Sequence, residues 1–221
     1  MMEKYEPYEV YKNISSYLKI RNLKTNEKFD VSSDDFINTF EHIGFYKIDA
    51  ISERAKSTGR AVLILIVYSE SNYIARGASF RDLIATKKWD EAIIIVPRMF
   101  FAKKNMLDQA RDLYMNAKDH RGFLGVYPYG IFSLVVPDHE GVPKHTVMSS
   151  EEANAFLAQD KVRREDLPCI SVSDPAVVWI GGRPGQLIKI IRDSEIAGPA
   201  MSVRYVVDAV DMGADIYRGQ L

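Results

Sequence analysis

The chain has 221 residues, a formal net charge of −1 and a single cysteine, Cys169. One cysteine excludes an internal disulfide framework and any Cys-x-x-Cys metal knuckle, and suits a reducing compartment. A near-neutral balance argues against a protein that holds nucleic acid by counterion release alone. The longest apolar run, "AVLILIV" at 61–67, is far short of the roughly 20 residues that cross a bilayer. The start, "MMEKYEPYEV", carries charges and lacks an apolar core, so neither a signal peptide nor a membrane partner is expected.

At roughly 100–150 residues per domain, the length favours two domains. The charge is split between them: residues 138–221 carry 9 basic and 13 acidic side chains, and residues 1–137 carry 20 and 17. That leaves room for a basic patch in the N-terminal part, although two solvated surfaces of slightly different sign are the default.

Val10, Tyr11, Ile14, Tyr17 and Leu18 recur at helical spacing and predict a helix over 8–22. A second helix is expected over 34–42, capped by Ser33, with Asp34 and Asp35 at its positive end and Gly44 after it. "AVLILIVYS" and "EAIIIVP" read as strands apolar on both faces, with a helix over 78–87 between them. An amphipathic helix is expected over 102–118, then a third strand in "IFSLVV", 131–136. This order suggests an α/β sheet covered on both faces.

The proline- and glycine-bearing "PDHEGVP", 137–143, is the expected boundary, giving domains 1–137 and 138–221. Beyond it, Ser149 and Glu152 have capping-box spacing for a helix over 150–159. "CISVS" reads as a short strand. Asp174-Pro175 opens a helix that stops at Gly181-Gly182. Strands follow at 186–192 and 201–207, and an acidic tail lies after 207.

The tests for chemistry are negative. No Gly-Lys dipeptide exists for a phosphate-binding loop, and "GGRPGQ" stands between a helix and a strand, where a turn is the default. His139 and His145, read as loop residues, have no neighbouring cysteine, so no metal and no cofactor are expected. Cys169 follows Pro168 with no evident base, and a buried structural thiol is expected. Metal-dependent nucleases place an acid two residues before a lysine, and no such triplet occurs in the chain. Arg98, Lys103 and Lys104 form a basic cluster that can touch DNA phosphates without reading sequence; a solvated helix start is the plainer reading. Trp179 and the tyrosines fall at core spacing rather than forming a base-stacking platform.

What remains is a pattern. "DLPCISVSDP", "GGRPGQLIKIIRDSEIAG" and "VRYVV" follow one another at fixed spacing over about 142–207. They resemble the C-terminal domain of a small subunit shared by the eukaryotic nuclear RNA polymerases, the fifth-largest, which has a shorter archaeal equivalent. The matching positions are Leu167, Pro168, Ile170, Asp174, Pro175, Gly181, Gly185, Gln186, Lys189, Ile190, Ile191, Arg192, Ser194, Glu195, Ala197, Gly198 and Arg204. "VPKHTVMSSEEANAFL" resembles the family's lead-in.

The resemblance implies a non-catalytic structural subunit of a DNA-dependent RNA polymerase. Its C-terminal domain, a small α+β unit with a mixed sheet, would dock on the largest subunit among other polymerase subunits. Its N-terminal α/β domain would form part of the lower jaw, restriction-endonuclease-like without catalytic residues, beside downstream duplex DNA. Asp174, Pro175, Gly185, Gln186, Lys189, Arg192, Ser194, Glu195, Gly198 and Arg204 are then the candidate partner-binding set. Asp174-Pro175, Gly181, Gly185 and Gly198 within this stretch are read as shaping the backbone.

The chain departs from the family at several points. Val178 and Pro184 stand where basic residues are common, and Pro199, Ala200 and Val203 replace Arg and aromatic residues. The family's Thr-Pro-Ser-Ala loop reads here as "PRMFFAKK", so Arg98, Lys103 and Lys104 are the DNA-proximal candidates. A divergent jaw with a retained assembly domain suggests a polymerase carried by a large eukaryotic DNA virus. A free-standing DNA-binding accessory protein and a nuclease-like enzyme are the alternatives.

Overall fold

The structure, a computed structural model, describes residues 6–52, 60–67, 89–97, 123–192 and 198–208. The chain divides into two compact units, Met1–Leu134 and Val135–Leu221. "PDHEGVP" lies just after that division.

The first unit is built on a five-stranded sheet in the order β1-β2-β3-β4-β5. The strands are β1 Leu23–Thr25, β2 Phe45–Ser52, β3 Arg60–Val67, β4 Glu91–Val96 and β5 Phe123–Pro128. β1, β2 and β3 pair antiparallel, whereas β3, β4 and β5 pair parallel. The sheet is thus mixed, and parallel only where the continuous apolar strands lie.

Helix α1, Glu6–Ile20, has Pro7 in its first turn, Glu6 and Glu9 at its positive end and Lys19 in its last turn. Its stripe of Val10, Tyr11, Ile14, Tyr17 and Leu18 is buried. Each such side chain contributes on the order of 1.5–3 kcal/mol before chain entropy is subtracted. Helix α2, Ser33–Ile43, is capped by Ser32, whose Oγ accepts from the Asp35 amide at 3.2 Å. Ser33, expected as the cap, is instead the first helical residue, because the extended backbone at position 32 aims that side chain at the open amides. Gly44 ends the helix at φ 90°, as its position predicts.

Tyr11 and Phe36 stack at 4.8 Å, Phe36 and Phe40 at 5.1 Å, and Tyr11 and Tyr46 meet edge-on at 5.0 Å. The hydroxyls of Tyr11 and Tyr46 both donate to Glu27 Oε1, at 2.7 and 3.1 Å. Burial first, then hydrogen bonding with Glu27 and Tyr46, pushes the Tyr11 phenol well above its ordinary value. A separate cluster joins Leu63, Leu65 and Val67 to Ala92, Ile94 and Val96. Arg21 grips Glu91 with two nitrogens, at 2.7 and 2.8 Å, and also bonds the Tyr17 hydroxyl.

The segment "IFSLVV" is not a strand. Tyr129–Ile131 forms a 3-10 turn, Phe132 is driven against Tyr17 at 5.3 Å, and Leu134 is exposed. Burial of two successive residues, Ile131 and Phe132, breaks the period-2 alternation a half-buried strand would show. The strand lies upstream in β5 despite Gly125 and Pro128. Gly125 lets the Tyr127 ring lie over the backbone: a Cβ there would come within 2.5 Å of that ring. Pro128 is the last residue of β5, which among the described residues pairs with β4 alone, so its missing N–H interrupts no ladder interior. The expected helices over 78–87 and 102–118, and the tail from 209 on, lie outside the described residues.

The second unit carries a four-stranded sheet in the order β6-β8-β9-β7. Its elements are β6 Lys144–Val147, α3 Ser150–Asp160, β7 Cys169–Ser171, α4 Pro175–Ile180, β8 Leu187–Arg192 and β9 Ala200–Val207. β6–β8 and β8–β9 are antiparallel and β7–β9 is parallel, so this sheet too is mixed. One core packs Met148, Ala153, Leu187 and Val203 with Phe156, Leu157 and Tyr205. On the opposite side of the sheet Ile188 and Ile190 are buried, and Trp179 and Val177 of α4 are fully enclosed. His145 lies on β6 rather than in a loop, its Nδ1 donating to the Pro143 carbonyl at 2.6 Å. Cys169 is exposed, against the expectation of a buried thiol. It starts a three-residue strand at the sheet edge, where its neighbour Ile170 is the residue turned into the core.

Candidate docking surface of the C-terminal unit

The strand–turn–strand stretch is fixed from its flanks. Asp174 caps α4, its Oδ1 accepting from the amides of Ala176 and Val177 at 2.9 and 3.4 Å. Pro175 occupies the first helical position, where its missing N–H costs nothing. Gly181 ends α4 in the left-handed region at φ 71°. Gly182 is a close approach: a Cβ there would lie 2.6 Å from Val177 Cγ1.

The next turn is closed by Gln186, whose Oε1 accepts from the Arg183 amide at 2.7 Å. Gly185, at φ 87°, donates its N–H to the Val206 carbonyl at 2.9 Å, and its own carbonyl accepts from Arg164 at 3.2 Å. Asp174, Pro175, Gly185 and Gln186 thus shape the support from which β8 projects.

The pleat sorts the charged candidates. Lys189 pairs with Val203 across the ladder and points to the α3 side, where its Nζ meets Glu152 Oε1 at 2.6 Å. That hydrogen bond, from the lysine, holds the Glu152 carboxyl below its usual range. Arg192, exposed, and Arg204, paired with Ile188, lie on the other face. Arg204 donates to the Cys169 carbonyl at 3.3 Å. Gly198 re-enters β9 at φ 73°. The structure therefore separates Lys189 from Arg192 and Arg204. Ser194 and Glu195, like Arg98, Lys103 and Lys104, lie outside the described residues.

Two residues escaped sequence reasoning. Glu152 holds Lys189 from 37 positions away, and Arg164 ties Asn154 to the Gly185 carbonyl. No local signal marks the contacts with Lys189 and with the Gly185 carbonyl, since these partners lie far along the chain. Among the described residues, no group of three or more His, Cys, Asp or Glu is placed to hold a metal ion, and no helix is long and apolar enough to cross a membrane.

A small mixed sheet with capped turns and arginines on one face defines a candidate protein-docking module. The family described as "RNA polymerase Rpb5, C-terminal domain" matches residues 134–206. A "DNA-directed RNA polymerase RPB5 homolog" of African swine fever virus is 30% identical over 204 residues, covering 90% of this chain and 96% of that protein. Two archaeal proteins named "DNA-directed RNA polymerase subunit Rpo5" match a shorter part. That of Nitrosopumilus maritimus is 44% identical over 75 residues, 34% of this chain and 90% of its own length. That of Staphylothermus marinus is 49% identical over 70 residues, 32% of this chain and 77% of its own length. The chain belongs to the RPB5/Rpo5 family of DNA-directed RNA polymerase subunits. Its role in that family is non-catalytic.

Proposed function

We propose that this chain is a structural subunit of a multisubunit RNA polymerase, in which residues 138–221 dock on the largest subunit and residues 1–137 form part of the lower jaw beside downstream duplex DNA. The observation that carries the reading is similarity to a viral polymerase subunit along nearly the whole of both chains. The geometry supports docking through β8 and β9: the turns that lead into them are held by Asp174, Gln186 and Gly185, so the backbone that carries Arg192 and Arg204 is ordered before contact. Lys189, engaged with Glu152, supports the sheet from the other side. The N-terminal unit is read as a restriction-endonuclease-like fold without catalytic residues, consistent with the absence of an acid-x-Lys triplet. Arg98, Lys103 and Lys104 are its DNA-proximal candidates.

The match to a viral relative favours a polymerase of a large DNA virus. The protein would then reside in the virion and at the cytoplasmic replication site; a cellular counterpart would be nuclear. Affinity purification of the tagged chain from its native source, washed at high salt, tests the proposal. Stoichiometric recovery of the two largest polymerase subunits is expected. Loss of that recovery in an Arg192→Glu, Glu195→Arg double variant is also expected. Recovery of a monodisperse monomer would overturn the reading in favour of an accessory DNA-binding protein.

A further inference from the structure

On the α3 side of the second sheet, side chains directly opposite one another form cross-strand rows. Leu187 pairs with Tyr205, Lys189 with Thr146 and Val203, and Ile191 with Lys144 and Met201. Leu187, Val203 and Tyr205 pack into the core that α3 closes, and Lys189 meets Glu152, in the first turn of that helix, at 2.6 Å. The last row stays open. Along β9 the exposure rises from 7% at Val203 to 61% at Met201, the most exposed large apolar side chain among the described residues. Ile191 is half-buried and Lys144 is exposed.

The row has a definite chemistry. Directly paired residues on neighbouring strands hold their Cβ atoms about 5 Å apart. Ile191 and Met201 therefore make one apolar step that a single side chain can cover. Lys144 stands on the other side of Ile191 on the same face, and no described carboxylate pairs with it. A lone exposed methionine would be ordinary. This one shares its row with a second apolar side chain and a cation, at the end of the two strands proposed to dock. A partner that fits brings an apolar group with a carboxylate beside it.

We infer that the row Lys144, Ile191 and Met201 is an apolar anchor of the docking surface, which takes a segment of the largest polymerase subunit with an aliphatic or aromatic side chain over Ile191 and Met201 and a carboxylate on Lys144. The inference rests on the docking role proposed above and adds a second face to it, since Arg192 and Arg204 lie on the opposite side of the sheet. The unbranched thioether of Met201 adapts to the shape of what it meets. A second copy of this chain, presenting the same row, would leave both lysines without a carboxylate. A phosphate backbone would satisfy Lys144 and leave the apolar step in water.

Oxidative footprinting of methionines tests the inference on the unaltered protein. Dilute hydrogen peroxide should convert Met201 to the sulfoxide in the isolated chain and spare Met148, which is 7% exposed. In the assembled polymerase the oxidation of Met201 should fall on the order of tenfold. When tagged variants compete with wild type for assembly, Met201→Asp should be incorporated about tenfold less. Lys144→Glu should be incorporated about threefold less, an effect that shrinks as salt is raised. Met201→Ala adds no charge, and it should lose in the same direction if the aspartate disturbs β9. Equal oxidation of Met201 in the free and assembled chain, or variants incorporated as well as wild type, would overturn the inference and leave docking itself standing. Protection that appears only with added DNA would overturn it too. A wild-type chain that fails to assemble would overturn both.

Discussion

The two units solve the same problem differently. In the first, β3 and β4 are apolar on every position from Val62 to Val67 and from Ala92 to Val96, and stability comes from enclosing them. In the second, the sheet is smaller and the chain path is set by local devices: the Asp174 cap, left-handed Gly181 and Gly185, the Gly182 approach and the Gln186 turn. A strand that is merely buried accepts many apolar residues. A cap or a positive-φ turn accepts few. This difference explains why the recognisable motif lies in the second unit.

Substitutions can break or sharpen the contrast. Removing the largest enclosed side chain, Trp179→Ala, should cost about 3–5 kcal/mol. Hydrogen exchange should localise the loss to amides of residues 135–192 and leave α1 and β3 protected; equal loss in both units would mean that they unfold together. In the first unit Glu91→Gln strands the Arg21 charge in a site where Glu91 is 7% exposed. A cost of about 3–5 kcal/mol in denaturant unfolding is expected at the upper end. Burial works against the Arg21 charge, and Tyr17 and Glu91 outweigh it, holding its value above the ordinary one.

Smaller effects should follow in the second unit. Gly182→Ala forces a Cβ onto Val177 and Ile188 and should destabilise by about 1–3 kcal/mol. Asp174→Ala removes the cap of α4 and should cost about 1 kcal/mol, seen as a lowered melting temperature. Lys189→Met should have the smallest effect, visible mainly as a changed pH dependence. The Glu152 carboxyl titrates below its ordinary 4.5 in the folded chain. Its contribution is therefore present above that pH and is lost as pH falls through the lower folded value. Wild type should lose more stability than the variant on acidification below about pH 4, and parallel curves would show that the pair contributes nothing.

Much of the local structure was legible in the chain. The α1 stripe, the Gly44 stop, the Ser149 cap of α3, which accepts from the Glu152 amide at 3.1 Å, and the Asp174–Gly181 helix are each written in consecutive residues. The failures have a common cause. "IFSLVV" is apolar enough for a strand, yet Phe132 was needed against Tyr17, so tertiary packing overrode propensity. Strand β5 was hidden by Gly125, whose value lies in the Tyr127 ring that covers it. Cys169 read as buried because an edge position cannot be told from a central one before strand order is known.

By itself, then, the sequence determined the Gly44 and Gly181 helix stops, the Ser149 and Asp174 caps and the family, because caps, positive-φ glycines and fixed motif spacing act within a few residues. Only the tertiary structure decided which face each charge occupies. Lys189 and Arg192 are three residues apart, but the pleat turns one to Glu152 and the other to solvent. Among the described residues the strand order β1-β2-β3-β4-β5 was likewise decided only there, since pairing between distant segments cannot be read from either segment alone.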